Sequence, residues 1–276
     1  MKLFFILSCL ITIHAGVIKE ETECDGIKIN GVYYDSEVLR KDIDRPYLLA
    51  VDYSTNNLYF SCNAKDDEDE FNSARLNLNT KEFDTIGDIN NGFAQTVDQT
   101  THTIYIGGSD GIYKYDYSTN KAHFFGEKDT NIWMLYYKDV LYFSVYPSQF
   151  LYTLIDGETR RFKDLEDTKV DHFVIDNEDD MFYTNETGLF SQKRGRKNAV
   201  MYQELRSVRS LSADINGNVY VCALDGIYAV KKSTKSLEEV VDIDECFGMA
   251  FDNDNNMVYS DANKIVRLRA NKQKSC

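Results

Sequence analysis

A short phrase built around a tyrosine recurs six times along this chain: NLYF, TIYI, VLYF, MFYT, NVYV and MVYS. The tyrosines are Tyr59, Tyr105, Tyr142, Tyr183, Tyr220 and Tyr259, spaced 46, 37, 41, 37 and 39 residues apart. A unit of about forty residues cannot bury a hydrophobic face alone, so its copies must pack against one another. Five of the tyrosines follow an aspartate by six or seven residues, at Asp52, Asp98, Asp176, Asp214 and Asp252. Turn formers fill the interval, as in STNN, QTTH, NEDD, INGN and NDNN. This is the pattern of two short strands joined by a tight turn.

A third strand follows in several copies, clearest as GIYKYD from Gly111 and GIYAV from Gly226. A fourth closes the unit, as in AHFFG from Ala122 and AVMYQ from Ala199. Four antiparallel strands repeated radially make a propeller blade, and six blades close a ring around a channel. The expected fold is therefore all-β, a six-bladed β-propeller of four-stranded antiparallel blades. The third unit is irregular, with Tyr136 and Tyr137 where the aspartate belongs. The sixth runs out of chain after KIVRLRA, so the strand-like IKINGVYY from Ile27 is expected to close the last blade and cover two open edges.

Residues 1–15 read as an export signal, with Lys2 as the positive end, an apolar run from Leu3 to Ile13, and Ala15 at a cleavage site. That run is too short to span a bilayer, which leaves 16–276 as a single domain of a secreted protein, expected to be a monomer. Losing Lys2 with the leader takes the formal net charge from −14 to −15. So acidic a chain is a poor partner for nucleic acid or an anionic membrane. Of six cysteines, Cys9 leaves with the leader, and the remaining five include at least one that cannot pair within the chain. Strand order places Cys24 near Cys276, a clasp across the ring worth about 4–5 kcal/mol on the chain-entropy model. The same reasoning pairs Cys222 with Cys246 and leaves Cys62 over. Asn185-Glu186-Thr187 is a glycosylation sequon.

The first strand of each blade lines the channel, so the residue five positions before each aspartate marks one mouth. Those residues are Tyr47, Phe93, Asp171, Arg209 and Phe247, with Ile132 or Trp133, the one tryptophan, at this level in the irregular third unit. His172, beside Asp171, joins the set as a hydrogen-bonded structural histidine rather than a catalytic base. Aromatic walls with a few polar groups suit a flat conjugated ligand, and Arg209 suits a carboxylate or sulfate. The competing reading is that the aromatic side chains simply plug the channel. The stretch Asp252 to Asn256 looks like a calcium loop, but Asn263 stands at its twelfth position, where glutamate is needed, so a turn is the better reading. GxSxG occurs only as Gly107 to Gly111, between the strand phrases TIYI and GIYKYD rather than between a strand and a helix, so it is no nucleophile elbow; no HExxH or phosphate-loop motif occurs.

In blade number and strand-turn-strand phrases the chain resembles the regucalcin and gluconolactonase propellers. That resemblance implies a divalent metal held by glutamate, asparagine and aspartate on separate inner strands. Here only Asp171 offers a carboxylate at that level, with Asn131 a second candidate, so neither a metal nor a catalytic centre is expected. The opening ECDGIKINGVYYDSEVL, the phrases LAVDYSTNNLYFSCN and GIYKYDYSTNKAHFFG, and the cysteine-terminated tail resemble the ommochrome-binding proteins of moth haemolymph. This second resemblance spans the whole chain and implies a secreted, non-catalytic carrier of ommatins such as xanthommatin, tryptophan-derived phenoxazinone pigments, with no cofactor beyond the pigment. The alternatives are a metal-dependent lactonase or esterase and a protein-binding propeller.

Overall fold

The computed structural model describes residues 27–29, 31–64, 67–203 and 207–271. The leader at 1–15 and the cysteines Cys24 and Cys276 lie outside these residues. Six antiparallel sheets form, five of four strands and one of five. Their inner strands, Tyr47–Asp52, Ala94–Asp98, Ile132–Tyr137, His172–Ile175, Val208–Ala213 and Gly248–Phe251, neighbour one another in a closed circle. These head blades 1 to 6 of a β-propeller.

The repeated phrase forms the second strand of every blade. Tyr59, Tyr105, Tyr142, Tyr183 and Tyr259 are buried there, and flanking residues such as Phe60, Ile106, Phe143 and Val221 are completely or almost completely shielded. Side chains of a strand alternate between its two faces. Each second strand can therefore fill the gaps to both neighbouring blades, which is why apolar residues stand on either side of the tyrosine. The repeated aspartates are structural. Each accepts a hydrogen bond from the backbone N–H two residues on: Ser54 to Asp52 at 3.1 Å, Thr100 to Asp98 at 2.9 Å, Glu178 to Asp176 at 2.8 Å, and Asn216 and Asp254 to Asp214 and Asp252 at 3.0 Å each. This is the Asx-turn geometry that aspartate supports, so the segment from Asp252 to Asn256 is a turn. Glycine opens the third strands of blades 2, 4 and 5, at Gly111, Gly188 and Gly226. At Gly226, with φ at +153°, a Cβ would come within 2.6 Å of the Val241 carbonyl.

The N-terminal segment closes the last blade, and of the expected IKINGVYY only the VYY end belongs to the closing strand. Val32–Lys41 is the fourth strand and pairs antiparallel with Lys264–Asn271, Tyr33 opposite Asn271 and Lys41 opposite Lys264. Ile27–Ile29 folds back on it as a fifth strand, Ile29 opposite Val32. The chain reverses between Ile29 and Val32, and Gly31 has φ at +82°. Asn-Gly between apolar residues is a strong two-residue hairpin signal, and it splits IKINGVYY in two.

This closure carries a buried charge network. Arg267, 1% exposed, pairs with Asp252 at 3.3 Å and with Glu37 of the N-terminal strand at 2.8 Å. Arg269 and Lys81 also reach Glu37, at 3.0 and 3.2 Å. Cys222, on the second strand of blade 5, is disulfide-bonded to Cys246, which precedes the inner strand of blade 6, with the Cα atoms 6.0 Å apart. Cys62 is a buried free thiol whose pKa burial pushes up to about 11.

Removing one partner of a buried ion pair strands the other and costs about 3–5 kcal/mol. Arg267→Met, which leaves Glu37 and Asp252 behind, is therefore expected to destabilise the ring by about that amount in chemical denaturation. The same network sets the response to acid. Burial alone would raise the Glu37 pKa, but hydrogen bonds from Arg267 and Lys81 outweigh it and hold the carboxyl below its usual range. Its stabilisation is thus complete above the unfolded carboxyl pKa and is lost as pH falls through the depressed folded value. Glu37→Gln is expected to narrow the stability difference between neutral and acid pH in thermal melts.

Candidate ligand site at the aromatic mouth

The residues five places before each aspartate occupy equivalent positions at one mouth. Phe93, Asp171 and Phe247 sit just ahead of their inner strands, and each donates its backbone N–H to the second strand of its own blade, to Gly107, Thr184 and Ser260, at 2.9 Å in every case. Tyr47 opens the inner strand of blade 1 opposite Ser61. Trp133 and Arg209 are each the extra residue of a β-bulge. Ile132 and Met134 face Val145 and Ser144 across blade 3, and Val208 and Ser210 face Ala223 and Cys222 across blade 5. A bulge re-aims the side chain of its extra residue, and here it turns an indole and a guanidinium toward the mouth.

The aromatic side chains form a continuous arc. Ring centroids lie 5.1 Å apart for Tyr47 and Phe247, 6.0 Å for Tyr47 and Phe93, and 5.3 Å for Phe93 and Trp133. The Arg209 guanidinium closes one end, 5.0 Å from the Phe247 centroid. Tyr146 extends the other, 5.8 Å from Trp133 and 55% exposed. Phe71, from the third strand of blade 1, lies 4.7 Å from Phe93 and 5.7 Å from Tyr47. Phe247 is buried, whereas Tyr47, Phe93 and Trp133 stay half-buried. Rings in contact with one another yet not sealed from solvent form a wall on which a flat molecule can stack.

Blade 4 breaks the arc with polar groups. Asp171 accepts a hydrogen bond from the Gln149 side chain, and burial, outweighing that bond, raises its pKa. His172 is held down to about 4, chiefly by burial and further by Arg209, against a hydrogen bond to the Val208 backbone. It is a neutral imidazole at neutral pH. Burial also raises the Tyr47 hydroxyl, with Arg45 and Arg209 pulling the other way. Arg209 forms no ion pair among the described residues, and its buried Nε has no hydrogen-bond partner there. In a chain with 45 acidic residues against 31 basic ones, this arginine has no carboxylate paired with it among the described residues, and a guanidinium so placed can pair with an anion.

The arc includes three residues the five-before-aspartate rule does not reach: Phe71, Tyr146 and Gln149. Phe71 lies outside the inner strands, beyond the acidic KDDEDE segment. That segment reads as a loop in the sequence, yet the third strand of blade 1 begins within it, at Asp67. Tyr146 and Gln149 belong to the turn around Pro147. Asn185 ends the second strand of blade 4 at this same face, its side chain accepting hydrogen bonds from the Thr187 amide and hydroxyl at 2.9 and 2.6 Å.

The mouth does not fit a hard divalent cation. Calcium needs six or more oxygen ligands, whereas among the described residues this level holds one carboxylate beside four aromatic rings and a guanidinium, and Asn131 is exposed. Asp176, Glu178 and Asp180 do converge at the opposite face. The Lys232 ammonium occupies their centre, 2.6, 2.8 and 2.5 Å from the three carboxylates.

No protein-family profile matches the chain. Among solved structures it superposes on a gluconolactonase from Xanthomonas campestris with a TM-score of 0.70, at 12% identity, over 88% of this chain and 91% of that one. A calcium-binding protein, regucalcin, from Agrobacterium tumefaciens gives 0.64 at 8% identity, over 86% of this chain and 96% of that one. Identities so low establish the propeller alone. In sequence it is 31% identical to the ommochrome-binding protein of Manduca sexta over 274 residues, covering 97% of this chain and 98% of that protein. A match of that extent from end to end makes this chain a member of the ommochrome-binding protein family.

Proposed function

We propose that the protein is a secreted, non-catalytic carrier that holds one ommochrome pigment of the ommatin type, such as xanthommatin, against the aromatic mouth, and that it works as a monomer in haemolymph. The observation that carries this reading is Arg209, a cation without an ion-pair partner among the described residues, set at the end of a half-exposed aromatic arc. Ommatins are flat, conjugated and acidic. Stacking on an aromatic side chain adds about 0.5–1.5 kcal/mol beyond area burial, and a charge-assisted hydrogen bond about 1.5–3 kcal/mol. Tyr47, Phe93, Trp133 and Phe247 supply the first term and Arg209 the second. Asp171 and His172 border the gap in the arc and complete the ligand-binding set.

The negative net charge opposes an anionic ligand at long range. Screening over a Debye length of about 8 Å at physiological salt confines that penalty, so the contact with Arg209 decides the outcome. The mouth has neither the oxygen donor set of a metal-dependent lactonase nor a histidine poised as a base, since His172 is held neutral by burial. These features favour binding without turnover.

Titrating the purified protein with xanthommatin is expected to quench Trp133, the one tryptophan, to saturation at one pigment per chain. Unchanged emission at saturating pigment would remove the mouth as the site. Arg209→Gln is expected to weaken binding by about 1.5–3 kcal/mol, roughly ten- to a hundredfold in Kd, with fluorescence quenching or calorimetry as the readout. Lactone turnover by protein holding stoichiometric metal would replace the carrier with a hydrolase.

A further inference from the structure

The channel beneath the aromatic arc encloses about 330 Å³, within the usual range of small-molecule pockets. Its walls run from Leu48, Gln95 and His172 to Tyr53, Lys138 and Ile215, so it leads to the opposite mouth, where the inner strands end. None of the aromatic arc residues lines it.

Charge at that far mouth has the opposite sign to Arg209. The inner strands of blades 1, 2, 4, 5 and 6 end on or just before Asp52, Asp98, Asp176, Asp214 and Asp252, all buried. Arg267 pairs with Asp252 and Lys232 with Asp176, while Asp52 meets His102 at 3.2 Å. Asp98 and Asp214 have no ion-pair partner among the described residues; hydroxyls, amides and backbone N–H groups hold them instead. Lys138, the one lysine or arginine on the channel wall among the described residues, donates to the Asp176 carbonyl and lies 3.7 Å from the Asp179 carboxylate, so its charge is engaged. Low-dielectric walls focus the field of such carboxylates along the channel. The Tyr53 hydroxyl on the channel wall responds to it: burial first, then Asp214 and Asp252, push its pKa up.

A second observation points to a ligand donor. Gln95 lines the channel, is 5% exposed, and donates its side-chain amide to the carbonyls of Tyr47 at 3.2 Å and Leu48 at 2.7 Å. Those two bonds fix the amide orientation, and the remaining Oε1 is buried with no hydrogen-bond partner among the described residues. A buried acceptor left bare costs about 1–3 kcal/mol, so it is a preformed seat for an N–H donor. Tyr53 and Phe251 are also among the residues of the channel wall, and aromatic faces attract ammonium groups.

We propose that the channel is a second ligand site, separate from the pigment mouth, which takes a small organic ammonium ion through the aspartate-ringed end and receives its N–H on Gln95 Oε1. The propeller would then carry two ligands of opposite charge at its two ends.

Calorimetric titration of the full chain with phenethylamine, 2-phenylethanol and phenylacetate tests this, since the three share a ring and differ in charge. Phenethylamine is expected to bind at least tenfold more tightly than the alcohol, with phenylacetate weaker still and the amine affinity falling as salt rises. Gln95→Lys keeps a donor for the Tyr47 and Leu48 carbonyls but removes the acceptor and adds a positive charge, and Ser212→Phe narrows the channel. Either variant, once circular dichroism shows it folded, is expected to lose phenethylamine binding. Phenylacetate or 2-phenylethanol binding as tightly as the amine, no amine binding at millimolar concentration, or amine binding unchanged in a folded variant would overturn the proposal. The comparison of the three probes on the unmodified protein decides the matter even where neither variant folds.

Discussion

A guanidinium with almost no contact with solvent holds the two ends of this chain together. Arg267 bridges Glu37, on the strand contributed by the N-terminal segment, to Asp252, which caps the turn of the same last blade. A propeller is a ring, and a ring open at one seam leaves two sheet edges unpaired. Hydrogen bonding between Val32–Lys41 and Lys264–Asn271 closes that seam, and the ion pairs fix its register. The closed circle also keeps the inner strands at a common level. Residues from six blades can then meet at one mouth only because each strand is prevented from sliding past its neighbours.

The repeated aspartate explains a second property of the molecule, its uneven charge. One carboxylate per turn satisfies the amides of the tight reversal in five blades, which concentrates buried negative charge at the end of the channel where the inner strands stop. Blade 3 has no such aspartate; its Lys138 reaches across to the Asp176 carbonyl of blade 4 instead. The opposite mouth lies a full strand length away and presents Arg209 without an acidic partner among the described residues. Net charge is therefore a poor guide to what either end attracts. Over distances comparable to a Debye length the local groups dominate.

Much of this was legible in the sequence, because the features that repeat are those that every blade needs. The tyrosine phrase gives the second strands, the aspartate gives the turns, and counting back five residues places Tyr47, Phe93, Asp171, Arg209 and Phe247 at one level of the ring, with Ile132 or Trp133 beside them in blade 3. What repetition does not encode was not legible. The bulges that make Trp133 and Arg209 the extra residues of their strands depend on register between neighbours, which no single strand reveals. Phe71, Tyr146 and Gln149 come from other parts of their blades, so no period marks them. The closing strand starts only at Val32, inside the expected segment and beyond the Asn30-Gly31 dipeptide that signals a hairpin in the sequence.

Shared architecture and different chemistry meet at the same level of the ring. A propeller fold superposes on lactonases and on a calcium-binding protein, yet what a ring can bind is decided by a few side chains where its inner strands begin. Oxygen ligands there would hold a hard cation. This chain supplies aromatic rings whose centroids lie 5.1–6.0 Å apart along the inner-strand arc and a guanidinium 5.0 Å from the last of them. Such a wall is poorly suited to polarising a carbonyl and well suited to covering a conjugated plane. The bulges matter most here, because without the extra residue in blades 3 and 5 the indole and the guanidinium would fall out of phase with the arc. The same backbone irregularity that interrupts the ladder therefore converts a structural repeat into a binding surface.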